Sequence, residues 1–266
     1  MATPTPSPFP LATAEPSCAL VSTIIEEATY AGVAVNRDVP VIFLRPDCEL
    51  DPLDPLPIVF VLHGKPMTEE QWLDLDLPGL LEGGWQTGRW PPMIIVAPRQ
   101  PEPLFSGSDG GPGSYEEEFF EGLVPFVDSL LPADTQPPGR AVLGISRGGV
   151  WALELGLTHT GSFVTVAALS PALAVNFARA AYDPLDLAMV PGEFPRVYLG
   201  AGEGDWARPQ TERLGNLLGG QQAEVKIDIT PGGHEEATWA ALLPSALDFI
   251  ALPWRNQGQG RPDEIR

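Results

Sequence analysis

Apolar positions along the chain follow two rhythms. Runs apolar on both faces at 57–62, 92–97, 140–143 and 163–169 have the make-up of buried strands, and 196–199 and 223–229 add two more. Between them the spacing lengthens. Phe119, Leu123, Phe126 and Leu130 recur every three to four residues and predict an amphipathic helix over 115–131. Similar runs predict helices over 149–157, 209–218 and 236–251, with short helical stretches at 68–75 and 78–83. Upstream, two strand-like runs at 18–28 and 39–44 turn near Gly32 and read as an antiparallel hairpin. Strands alternating with helices imply an α/β fold. Its central sheet is mostly parallel, helices cover both faces, and the hairpin sits at one edge. The pattern divides the chain into a Pro/Ser/Thr-rich spacer at 1–17, one domain at 18–254 and a polar tail at 255–266.

Composition narrows the partners. The formal charge of −20 repels phosphates and so argues against nucleic acid and anionic membranes. No apolar run has the length of a membrane helix, so no membrane insertion is expected. Residues 1–17 lack the basic start and apolar centre of a signal peptide and resemble the spacer that follows one in exported proteins. Only two cysteines are present. In a hairpin turning near Gly32, Cys18 and Cys48 fall opposite each other, within reach of a disulfide. That pairing points to an oxidising, extracellular location, with a cytoplasmic one as the alternative.

The candidate chemistry gathers where strands end, the usual place for functional groups in open α/β sheets. Gly144-x-Ser146-x-Gly148 stands between a strand and a helix. A sharp turn there projects a serine hydroxyl away from the sheet, while flanking glycines let strand and helix approach. Nucleophilic serine needs a base, and the chain has three histidines. His63 ends a central strand and shapes the loop that follows. His159 lies at the far end of the elbow helix, roughly 20 Å from Ser146. His234 follows Pro-Gly-Gly after the last strand and is the base. For the acid, Glu203 and Asp205 share one loop. Gly202 and Gly204 make a tight turn that delivers the residue beyond it, which favours Asp205. The chain order Ser146, Asp205, His234 is the order such an elbow requires. An oxyanion needs donors as well. The backbone N–H of Arg147 is one, and Lys65 is the natural second because Pro66 has no N–H.

The residues 63–64 with Trp72, the strand 91–98, the stretch Glu-Phe-Phe-Glu-Gly-Leu-Val-Pro-Phe-Val-Asp (118–128) and Gly-Ile-Ser-Arg-Gly-Gly (144–149) continue into Ala-Leu-Ser-Pro-Ala-Leu (168–173), Gly202-x-x-Asp205 and Gly232-Gly-His234. In that order they resemble the esterase-D/feruloyl-esterase-like family of α/β-hydrolases, over about 19–252. The resemblance implies a Ser146–His234–Asp205 triad, an oxyanion hole from the Lys65 and Arg147 amides, and no metal or organic cofactor. It implies a small-molecule or sugar-linked ester as substrate. Arg147 departs from the uncharged residue usual after the nucleophile; a salt bridge to a nearby carboxylate is expected of it, with contact to an acidic substrate as the alternative. Trp72 and Trp206 are candidate substrate platforms. The predicted activity is serine carboxylic-ester hydrolysis. Acyl transfer to a sugar or other alcohol is the same-class alternative, and a non-catalytic binding protein on a hydrolase fold is the alternative from another class. Oligomeric state leaves no mark on the sequence.

Overall fold

The hairpin opens the sheet. In the computed structural model, which describes residues 22–255 apart from 49, 51–54, 132, 133 and 135, β1 (Thr23–Gly32) pairs antiparallel with β2 (Arg37–Pro46). Asn36 takes a left-handed conformation (φ 50°) in the turn, a geometry Asn tolerates better than most residues. The turn therefore lies beyond Gly32, and Thr23 faces Pro46. Cys18 itself lies outside the described residues.

Six further strands complete one eight-stranded sheet: β3 (Ile58–Leu62), β4 (Ile94–Pro98), β5 (Arg140–Ile145), β6 (Thr165–Leu169), β7 (Arg196–Gly202) and β8 (Val225–Thr230). The spatial order is β1-β2-β4-β3-β5-β6-β7-β8. β2 meets β4 antiparallel, and every later pairing is parallel. Alternation along a strand sends neighbours to opposite faces. Ile58, Phe60 and Leu62 join one core, and Val59 and Val61 join the other. Both layers are fully buried along β3, which explains its unbroken apolar sequence.

Helices cover both faces. α1 (Gln71–Asp74) and α2 (Leu77–Gln86) pack on one side with α8 (Glu236–Arg255). On the other side lie α3 (Tyr115–Glu117), α4 (Val124–Leu130), α5 (Arg147–Thr158), α6 (Pro184–Leu187) and α7 (Arg208–Gly220). The predicted helix over 115–131 is interrupted: α3 passes through a π-helical turn, Glu118–Leu123, into α4. Pro125 has no N–H to continue an α-helical ladder, and it occupies the start of α4. The phase shift leaves Leu130 half exposed, whereas the periodicity had placed it in the core. Glu118 is buried in that turn and accepts hydrogen bonds from Ala34 N (2.8 Å) and Val35 N (3.3 Å), anchoring the hairpin turn. Among the described residues, no helix is long and apolar enough to cross a membrane.

Candidate active site

β5 ends at Ile145 and α5 begins at Arg147, so one residue makes the whole turn. Ser146 does it with φ 52° and ψ −113°, outside the regions open to most L-residues, a strain of about 1–3 kcal/mol. The surroundings hold it there. Ser146 N–H donates to Leu169 O at 2.8 Å, and its carbonyl accepts from Val150 N and Ala172 N, each at 3.1 Å. A Cβ on Gly144 would lie 2.1 Å from Gly148 O, and one on Gly148 would lie 2.3 Å from Leu62 O. Both glycines of the pentapeptide are therefore required by close backbone approach.

His234 comes to this serine from the loop after β8. Its Nε2 lies 2.9 Å from Ser146 Oγ, and its Nδ1 lies 2.9 Å from Asp205 Oδ1. Carboxylate accepts only, so Nδ1 carries the proton and Nε2 presents its lone pair to the Ser146 hydroxyl. The Asp205 side chain is fully buried and also accepts from Ala207 N at 2.8 Å, which fixes it in line with the ring. Glu203 is exposed at the rim of the same loop. Two backbone contacts lock the Asp205 and His234 loops together. Gly204 N–H donates to Gly232 O at 2.9 Å, and a Cβ on Gly202 would stand 2.5 Å from that oxygen.

Two tryptophans grip the imidazole. Trp206 lies against its face, with ring centroids 4.5 Å apart and an angle of 33°, and Trp239 meets it edge-on at 5.3 Å and 90°. Trp239 is itself held, because its indole N–H donates to the buried Ser170 Oγ at 3.0 Å. Ser170 directly follows β6 with φ 49°. Neither Trp239 nor Ser170 was singled out in the sequence. The available signal was Ser170-Pro171 closing a buried strand and a tryptophan five residues after His234.

The loop after β3 supplies the neighbouring wall. His63 is buried, Nδ1–H donates to Gly64 O at 3.1 Å, and Nε2 accepts from Gln100 N at 3.0 Å. Burial pushes its pKa down to about 4, so the ring is neutral and serves as a brace. Gln71 Oε1 accepts Gly64 N–H at 2.7 Å. The loop passes so near the nucleophile that a Cβ on Gly64 would lie 3.4 Å from Ser146 Cβ. Lys65 sends its ammonium outward to Ser106 Oγ and to Glu102, the latter at 3.2 Å. His159 stays away from the site, at the end of α5, paired with Glu116 and with its ring 4.4 Å from that of Phe120 at a tilt of 53°.

Arg147 corrects an expectation. Among the described residues it forms no salt bridge. Its Nε donates to Phe105 O and its Nη1 to Asn176 Oδ1, both at 3.0 Å, and the guanidinium lies 5.2 Å from the Trp151 ring. The guanidinium is held here by neutral acceptors and an aromatic face, and its buried Nη2 has no hydrogen-bond partner. Trp72 is corrected too. It is fully buried in the core beneath α1, where its large apolar area is removed from water, and it is no platform. Trp206, by contrast, is 47% exposed and borders a cavity of about 390 Å³ with Lys65, Ser146, Arg147, Val175 and Phe177.

A mostly parallel sheet with a strained serine at the strand-to-helix turn defines the chain as an α/β-hydrolase. The model of the family described as "Putative esterase" matches residues 32–250, and the chain belongs to that family. It is similar to an acetyl esterase from Caldicellulosiruptor saccharolyticus, 22% identical over 173 residues, which is 51% of this chain and 65% of that relative's length. Among solved structures, a ferulic acid esterase superposes with a TM-score of 0.79 at 18% identity, covering 88% of this chain and 99% of the other. An S-formylglutathione hydrolase from Staphylococcus aureus gives 0.72 at 15% identity, covering 86% and 99%. A ferulic acid esterase from Anaeromyces mucronatus in complex with ferulic acid gives 0.71 at 19%, covering 88% and 93%.

Proposed function

We propose that the chain is a serine carboxylic-ester hydrolase, with residues 18–254 acting as one catalytic domain. The observation that carries this reading is the unbroken line Ser146 Oγ, His234, Asp205, with 2.9 Å at each step. Ser146 Oγ attacks the ester carbonyl as His234 Nε2 takes its proton, and the buried Asp205 stabilises the imidazolium that forms. The oxyanion is received by the backbone N–H groups of Lys65, on the loop after β3, and of Arg147, at the start of α5. As the tetrahedral species collapses, His234 returns the proton to the departing alcohol. Water, deprotonated by the same imidazole, then releases the acyl group from Ser146. His234 carries every proton transfer the cycle needs, and Asp205 stays a carboxylate throughout.

The substrate is a small-molecule ester. Trp206 and Phe177, the latter 86% exposed, offer apolar surface to one side of it. Ser146→Ala is expected to cut hydrolysis of short p-nitrophenyl esters at least about a thousandfold while the melting temperature stays nearly unchanged. Turnover retained in that variant would end the reading.

Export and a Cys18–Cys48 disulfide belong to the same proposal. The spacer-like composition of 1–17 and the pair of cysteines at the two ends of the hairpin region support it. Native, unreduced protein is expected to show no reactive thiol on titration. Two reactive thiols would refute the bridge.

A further inference from the structure

Positive charge is scarce in this chain, and most of it is paired among the described residues. Among the described residues, every lysine and arginine except Arg37, Arg147 and Arg213 lies within ion-pair distance of a carboxylate. Two of the three exceptions border cavities that share Lys65, and the first of these also holds Ser146. Arg147 lines the cavity already described. Arg37 lines a second one, of about 290 Å³, together with Lys65, Arg99, Gln100, Glu102 and the buried His63. Lys65 borders both cavities, so the two meet at the loop that carries its backbone N–H.

We infer that this second cavity binds an anionic substituent, a carboxylate, carried by the ester substrate. The inference rests on the ester-hydrolase reading for its place in the reaction. Three cations line the cavity with one carboxylate, Glu102, and Arg99 also faces Glu69 and Glu70 from outside the lining. Arg99 is held by Glu69, and Lys65 by Glu102 at 3.2 Å. Arg37 is positioned by a backbone acceptor instead: its Nη2 donates to Glu102 O at 2.8 Å, which leaves its charge uncompensated. Arg37 is thus the lining cation without an ion-pair partner, inside a molecule of formal charge −20. Away from the cleft the molecular field repels anions, and that repulsion is largely screened beyond about 8 Å at physiological salt. Inside it, the guanidinium fork matches a carboxylate. The two cavities differ in chemistry: Val175, Phe177 and Trp206 line one, and Arg37, Lys65 and Arg99 line the other. An ester with an apolar group on one side and a carboxylate on the other fits both.

Two pairs of esters, each differing by a single charge, test this: mono-p-nitrophenyl succinate against its methyl ester, and 4-acetoxybenzoate against its methyl ester. The first pair places the carboxylate on the acyl side and the second on the leaving side. The charged member of at least one pair is expected to show the higher kcat/KM. Arg37→Gln is expected to lower that charged-to-neutral ratio about fivefold, mainly through KM, and added salt to lower it further. Arg37→Lys, which keeps the charge, should restore most of it. Arg213→Gln removes a cation outside the cleft and should leave the ratio in place. No preference in either pair, or an equal loss in Arg37→Gln and Arg213→Gln, would overturn the inference. Calorimetric titration of the Ser146→Ala protein with the same four esters reads binding without turnover. If no ester is hydrolysed by the unmodified protein, the catalytic reading fails, and this titration still decides the cleft by whether the charged members bind more tightly.

Discussion

Asp205 and Glu203 sit two positions apart in one loop and have opposite environments. Asp205 is fully buried and bonded to the His234 ring, whereas Glu203 is exposed. Asp205→Ala should lower kcat by about 10³–10⁴-fold, since the imidazole loses both its orientation and the charge that stabilises it. Glu203→Ala should stay within a small factor of the unmodified protein. Steady-state kinetics on one p-nitrophenyl ester separates them, and the reverse ranking would reassign the acid. These residues were legible because each stands in a glycine-marked turn after a strand, where close backbone contact leaves a trace in composition. Trp239 and Ser170 were not legible. Their contact joins the start of α8 to the end of β6, and no local pattern records a meeting between segments so far apart. Trp72 misled for a related reason. A tryptophan near a functional loop has the same letter whether it packs or binds, and only burial distinguishes the two.

Secondary-structure elements were readable to the extent that their periodicity was unbroken. β3, β4 and β5 appear close to where the apolar runs put them. The helix over 115–131 broke its rhythm at a proline, and the side chain beyond it turned outward. α5 carries the most unexpected residue of any element. Glu154 is fully buried, and neither of its carboxylate oxygens has a hydrogen-bond partner. Burial pushes its pKa up to about 9, even with the Arg147 guanidinium pulling it back. Between the ordinary glutamate value of 4.5 and about 9, the folded chain retains a proton that the unfolded chain has released. Stability from this group is complete below that window, falls as pH rises through it and levels off above. Glu154→Gln, which has no proton to lose, should raise the melting temperature by several degrees at about pH 8 and by much less at about pH 5. Thermal unfolding of both proteins across that range checks the slope. An equal shift at both ends would contradict it.

At the scale of the whole molecule, the sheet order explains why distant residues meet. β3 lies between β4 and β5, so the chain winds away from it in both directions, and a crevice opens beyond its carboxyl end. The His63–Lys65 loop leaves β3 and the serine turn leaves β5 on adjacent strands, while β7 and β8 deliver Asp205 and His234 side by side. Alternating strands and helices made a mostly parallel sheet readable from the sequence. Strand order, and with it the pairing of these loops, depends on tertiary packing that residue spacing does not encode. The same arrangement makes a covalent prediction. Mixing the protein with p-nitrophenyl acetate, quenching in acid within the first turnover and analysing peptides by mass spectrometry should find an acetyl group on Ser146. That group should be absent in Ser146→Ala and should form far more slowly in His234→Ala. Rapid hydrolysis with no acyl group on Ser146, or full activity in its absence, would contradict the account.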